Sequence, residues 1–152
     1  MRLRRGCRGA WIALAAVLVD RLTKAAARAS NGRGPLIPGI VNLRPVENRG
    51  VAFSMLWGRP LLLALFTAAL IAGVVGWLIA RPGAPRLTRV GLWLIVGGGL
   101  GNLYDRLFYG SVTDFIDLAF VRFAVFNAAD VFICVGAALV VISAWRNDRK
   151  GT

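Results

Sequence analysis

Histidine is absent from this 152-residue chain, and its absence closes several routes at once. Neither a Ser-His nor a Cys-His pair can be assembled, and no imidazole is available to hold a metal. Cysteine is nearly absent too. Cys7 lies in a basic tail and Cys134 inside an apolar run, a placement that suggests neither a disulfide nor a zinc site. No metal or other cofactor is therefore expected. Acidic residues are scarce, 7 against 19 Lys and Arg, for a net charge of +12. So basic a chain can bind nucleic acid. Here, however, the basic residues flank apolar runs and do not interleave with aromatics, which favours membrane phospholipids over nucleic acid as the partner.

What the chain holds in excess is apolar sequence: 57% of residues and a mean hydropathy of +0.64, above the usual share for soluble domains. Its length suits one domain, residues 1–152. Four segments, roughly Ala10 to Ala29, Pro60 to Ala80, Leu87 to Leu107 and Phe126 to Trp145, are each about 20 residues long, enough for a hydrocarbon core of about 30 Å. The expected fold is an all-α membrane protein of four transmembrane helices with a small β-strand element in the outer loop. That element is read from two apolar-rich runs, Gly39 to Leu43 and Val51 to Leu56, separated by Pro45, Asn48 and Gly50. Trp57 beside it suits a membrane interface.

The first segment has a rival reading. A basic start, an apolar stretch from Ala10 to Val19 and the triplet Ala27-Arg28-Ala29 resemble a cleavable signal peptide. Asp20, Arg21 and Lys24 interrupt that pattern, and Asp20 and Lys24 stand one helical turn apart, where they can pair away from lipid. A retained helix is the expectation. Positive charge is dense in the N-terminal tail, in the linker with Arg81, Arg86 and Arg89, and in the C-terminal tail with Arg146, Arg149 and Lys150. Both termini are accordingly read as cytoplasmic, and loops 30–59 and 108–125 as facing outward.

The acidic residues are few, yet most fall within or beside apolar spans. A carboxylate in hydrocarbon costs at least about 2.5 kcal/mol, so each needs a partner or a function. Asn102, Asp105 and Arg106 share a helical face, and Gly97, Gly98, Gly99 and Gly101 beside them permit close helix approach. A polar seam that holds helices together explains this group, with Asp105 and Arg106 free for ion pairing. Asp114, between Thr113 and Phe115, could be a solvated loop residue, as Asp117 is read to be. Asn127 and Asp130, at i and i+3, could serve only as a helix cap and a dipole partner. Each has a structural explanation when taken singly. Together, Asp114 and Asp130 lie at the outer ends of two spans and can meet at one membrane depth. Two carboxylates sharing a site cannot both ionise easily, so one can activate water while the other protonates a leaving amine. Peptide hydrolysis then needs no histidine, serine or metal.

Five blocks, D20-R-L-T-K24, N48-R-G-V-A-F53, G98-G-L-G-N-L-Y-D-R106, G110-S-V-T-D-F115 and F126-N-A-A-D130, resemble the signal peptidase II (lipoprotein signal peptidase) family, in its order and over nearly the whole chain. The resemblance implies a membrane aspartic endopeptidase of the bacterial cytoplasmic (inner) membrane. Its substrate would be a prolipoprotein cut just before a diacylglyceryl-bearing cysteine, and cyclic peptides of the globomycin kind would inhibit it. By position, Asp114 and Asp130 resemble the family's catalytic pair. Asp20, Lys24, Asn48, Gly50, Asn102, Asp105, Arg106 and Asn127 match its other polar positions, which support the fold or contact substrate and inhibitor. Thr113 departs from the pattern, where an aliphatic residue is commoner. Readings from other classes are a proton-coupled carrier, which would need a gradient across sealed vesicles, and a passive scaffold, which would tolerate change at Asp114.

Overall fold

The computed structural model describes residues 7–30, 34–50 and 60–151. Four helices carry most of the chain: α1 (Ala10–Ala29), α2 (Pro60–Ala80), α3 (Arg86–Tyr109) and α4 (Ala128–Gly151). Three strands, β1 (Gly34–Ile37), β2 (Val41–Asn48) and β3 (Val112–Leu118), form one antiparallel sheet in the order β1-β2-β3. The four apolar segments read from sequence thus become the four helices, with α4 starting at Ala128 and continuing past Trp145.

Helix α3 is the centre of the bundle, and α1, α2 and α4 each pack against it. Its glycines are the reason. A Cβ on Gly97 would lie 2.7 Å from the Ala16 methyl of α1, one on Gly98 would strike the Ala129 carbonyl oxygen of α4, and one on Gly101 would lie 2.5 Å from Asp20 Oδ2. Close backbone approach of this kind drives association where lipid removes the hydrophobic incentive. Gly91 and Gly136 make a second α3–α4 approach. A small apolar core of Ala13, Leu78, Trp93 and Val96 ties α1 and α2 to α3. Helix α3 ends at Gly110, whose φ of 71° lies in the left-handed region. That conformation is open to glycine at little cost and turns the chain from the helix into β3.

The expectation of four spans is met in part, and that of the strand element needs correction. Among the described residues, two helical stretches are long and apolar enough to cross a membrane on composition alone, Leu61–Ala80 and Ala128–Arg149. The other two expected spans form helices, but α1 carries Asp20, Arg21, Lys24 and Arg28 and α3 carries Arg86, Arg89, Asp105 and Arg106, which lower their apolar average. The strand element also differs. Gly39 (φ 74°) lies in the turn between β1 and β2, Val51 to Leu56 and Trp57 lie outside the described residues, and β2 pairs with β1 and, on its other edge, with β3, from the segment read as outer loop. Pairs Val46↔Asp114, Glu47↔Thr113 and Asn48↔Val112 hold the register. An irregularity between Leu43 and Val46 falls at Pro45, which has no N–H to give a ladder.

Candidate active site

Asp114 projects from β3, 3% exposed, and its two carboxylate oxygens are each bound by an amide. Asn48, at the end of β2, donates from Nδ2 to Oδ2 at 2.9 Å, and Asn127 donates from Nδ2 to Oδ1 at 2.6 Å. The Gly50 N–H donates to Asn48 Oδ1 at 3.0 Å, which fixes the Asn48 amide with its nitrogen toward Asp114. Asp130 comes from the first turn of α4. Its backbone N–H donates to Asn127 Oδ1 at 3.1 Å, and its Oδ2 accepts the Asn127 backbone N–H at 3.2 Å. This reciprocal arrangement satisfies two donors of the helix start. Asn102 of α3 donates from Nδ2 to Asp130 Oδ1 at 2.8 Å.

The two carboxylates therefore converge on Asn127, which is fully buried: its side chain binds Asp114 and its backbone binds Asp130. Burial pushes the Asp114 carboxyl up from 3.8 to about 6; the Asn48 and Asn127 amides pull it back in part, while the nearby charge of Asp130 pushes it further up. A carboxyl that can hold a proton near neutrality, beside a second carboxylate, can hand protons to and from a water and a leaving group. Among the described residues, no three His, Cys, Asp or Glu side chains are grouped so as to hold a metal ion.

Beneath this pair lies a buried ion network between α1 and α3. Lys24 Nζ reaches Asp20 Oδ1 (3.0 Å), Asp105 Oδ2 (2.9 Å) and Asn102 Oδ1 (2.9 Å). Arg21 bridges Asp20 Oδ2 (2.6 Å) and Asp105 Oδ1 (2.7 Å), and Arg28 adds a contact to Asp105 Oδ1 at 3.2 Å. Asp20 also accepts the backbone N–H of Ala129 at 3.2 Å, tying α1 to the start of α4. Every buried charge here meets an opposite charge, which is the condition for keeping it out of water. Through Lys24 the network also sets the Asn102 amide: with its oxygen held by Lys24 and by Asn127 Nδ2 (3.2 Å), its nitrogen faces Asp130.

Of the positions singled out in the sequence, Asp114, Asp130, Asn48, Asn102 and Asn127 meet directly, and Gly50 orients Asn48. Asp20, Lys24 and Asp105 form the adjoining ion network. Arg106 stands apart. Read as free for ion pairing, it makes no ion pair among the described residues, where it donates a long bond (3.4 Å) to the Asn102 carbonyl, because the cations of α1 already occupy both oxygens of Asp105. Asp117 is partly exposed beside Arg44 at 3.9 Å, as its solvated reading requires. The sequence reading missed Arg21 and Arg28. Arg28 carried a signal, since Asp20, Lys24 and Arg28 recur every four residues and share one face of a helix.

Residues 12–146 match the model of a family described as signal peptidase (SPase) II. A lipoprotein signal peptidase of Thermosynechococcus vestitus is 36% identical over 141 residues, covering 89% of each chain. That of Streptococcus pyogenes serotype M5 is 39% identical over 117 residues, covering 77% of each. A bacterial membrane enzyme solved by the in meso method at 2.3 Å resolution superposes with a TM-score of 0.86 at 26% identity, over 93% of this chain and 90% of the other. A second, solved at 1.9 Å, gives 0.80 at 29% identity, over 88% and 90%.

Proposed function

Because this chain belongs to the signal peptidase II family, aspartic membrane proteases that process the signal peptides of lipoproteins, we propose that Asp114 and Asp130 are its catalytic pair. The observation that carries this reading is the convergence of both carboxylates on Asn127. A water held between them loses a proton to the ionised member as it attacks the scissile carbonyl. The protonated member gives its proton to the departing amine as the tetrahedral intermediate collapses. Base and acid are roles of the dyad and not of fixed residues. Asn48 and Asn127 bind the Asp114 carboxylate and Asn102 and Asn127 that of Asp130; Arg106 meets the substrate.

The substrate in this reading is a diacylglyceryl-modified bacterial prolipoprotein, cleaved before the lipidated cysteine, with its acyl chains left in the bilayer. Globomycin-like cyclic peptides compete with it for the same site. All four helices span the bacterial inner membrane with both termini in the cytoplasm and the site near the outer face. The burial of Asp20, Lys24 and Asp105 against one another supports a spanning role for α1 and α3, since lipid does not meet those charges. The β2–β3 pairing supports a common side for loops 30–59 and 108–125. Purified Asp114→Asn and Asp130→Asn proteins, assayed in detergent on a diacylated precursor, are expected to be folded and inactive. Substantial cleavage by either would overturn the dyad.

A further inference from the structure

Thr113 is bound on both its backbone and its side chain by groups outside the catalytic pair. Its Oγ1 accepts two hydrogen bonds from one guanidinium, Arg28 Nε at 2.9 Å and Arg28 Nη2 at 2.7 Å. Its backbone N–H donates to Asp105 Oδ2 at 3.3 Å. Arg28 Nη2 also reaches Asp105 Oδ1 at 3.2 Å, and the guanidinium lies over the Tyr109 ring, 4.1 Å from its centroid. A planar fork with several donors and a stacked face has little freedom once placed. Thr113 directly precedes Asp114 in β3 and is itself buried.

We propose that Arg28 and Thr113 form a clamp that sets the position of Asp114, which makes both of them positioning residues for the reaction. The inference rests on the reading of Asp114 as catalytic. Asp114 reaches the dyad from β3, and its backbone directly follows Thr113, whose N–H and hydroxyl are both held. Asp130, by contrast, is fixed by the first turn of α4. The hydroxyl of Thr113 gives the end of α1 a grip on the Asp114 backbone that a valine or isoleucine there would lack. The loss of a fraction of an ångström in placement is felt in the chemical step more than in binding.

The test is a double-mutant cycle of Thr113→Val and Arg28→Gln, with Asp114→Asn as reference, using purified full-length protein and a diacylated precursor peptide. Arg28 is 35% exposed on its side chain, so removing the hydroxyl leaves it able to rehydrate, and the thermal midpoint of Thr113→Val is expected to stay near that of the parent. Each single variant is expected to lose kcat about tenfold with KM within about twofold, and the double variant to be no worse than either single. Unchanged kcat in Thr113→Val, or losses that multiply in the double variant, would overturn the clamp. Should Arg28→Gln fail to fold, the kcat and KM of Thr113→Val alone decide. Cleavage by Asp114→Asn would instead remove the dyad reading on which the clamp rests.

Discussion

Replacing Asp114 by asparagine should do two things at once: abolish cleavage and remove the pH dependence that the Asp114 carboxyl gives the protein's stability. The Asp114 carboxyl titrates at about 6 in the folded chain and near 3.9 when unfolded. A raised value means that the folded state holds the proton more tightly. The associated stability is fully present below about pH 4 and is lost as pH rises through about 6. Two units at 1.36 kcal/mol each make this roughly 3 kcal/mol. Asparagine cannot ionise, so it escapes that loss. It does introduce a second term. Asn48 and Asn127 both donate to residue 114, and an asparagine there must turn its own NH2 toward one of them. A buried donor facing a donor costs about 1–3 kcal/mol at any pH.

The variant is therefore expected to be less stable than the parent at pH 4 and equal or more stable at pH 8. The difference between the two conditions, about 3 kcal/mol, is independent of the amide term. At about 2–4 °C per kcal/mol for a chain of this size, the gap between the two melting midpoints should move by roughly 6–12 °C from pH 4 to pH 8. Differential scanning fluorimetry in detergent at the two pH values reads this directly, beside a cleavage assay on a diacylated precursor. A gap that stays the same within about 1 °C would show that Asp114 is not held in a charge-disfavouring site. Because part of the upward push comes from Asp130, Asp130→Asn should shrink the parent's pH dependence without abolishing it.

Gly98→Ala should cost about 1–3 kcal/mol of stability, read as a lower melting midpoint, and weaken cleavage, since the new methyl pushes α4 and Asp130 away from α3. Gly73→Ala on α2, where a Cβ meets nothing within 4 Å, should leave activity unchanged and melt no lower. Lys24→Met should cost about 3–5 kcal/mol by leaving Asp20 and Asp105 short of a buried cation, seen as a collapsed yield of folded protein on size exclusion. Asp117→Asn, at a partly exposed and loose contact with Arg44, should keep parental cleavage and change stability by less than about 0.5 kcal/mol.

How far the site could be read in advance depended on the kind of signal. Local contacts were legible. The i, i+4 spacing of Asp20 and Lys24 announced their ion pair, the run Gly97 to Gly101 announced close helix contacts, and the i, i+3 spacing of Asn127 and Asp130 announced a helix cap. Contacts made by pairing across the chain were not. β3 reads Val112-Thr113-Asp114-Phe115, all buried, so the alternation that marks a half-exposed strand is missing. Its partner β2 is interrupted by Pro45, so only its start was read as strand, in Gly39 to Leu43. β3 passed for loop, although its pairing with β2 brings Asn48 to Asp114. Asn48 itself was found through its motif, not through any expectation of what it touches.

The failure of α1 and α3 to look like plain membrane helices has the same origin as the site itself. An average over a span records how much polarity it carries but not where that polarity points. On α1, Ala13, Ala16, Asp20, Lys24 and Ala27 are buried while Leu14, Leu18 and Leu22 are exposed, so the charged face is turned inward and the leucines outward. That is the reverse of an amphipathic helix on a soluble domain. The inward charges are held by one another across the glycine contacts of α3, and without Gly101 the Asp20 carboxylate would have no room. The residues that make these helices poor spans by composition are thus the ones that orient Asn102, anchor the start of α4 through Ala129 and grip β3 through Thr113. A more apolar α1 would pass for a membrane helix more easily and would leave both carboxylates without their supports.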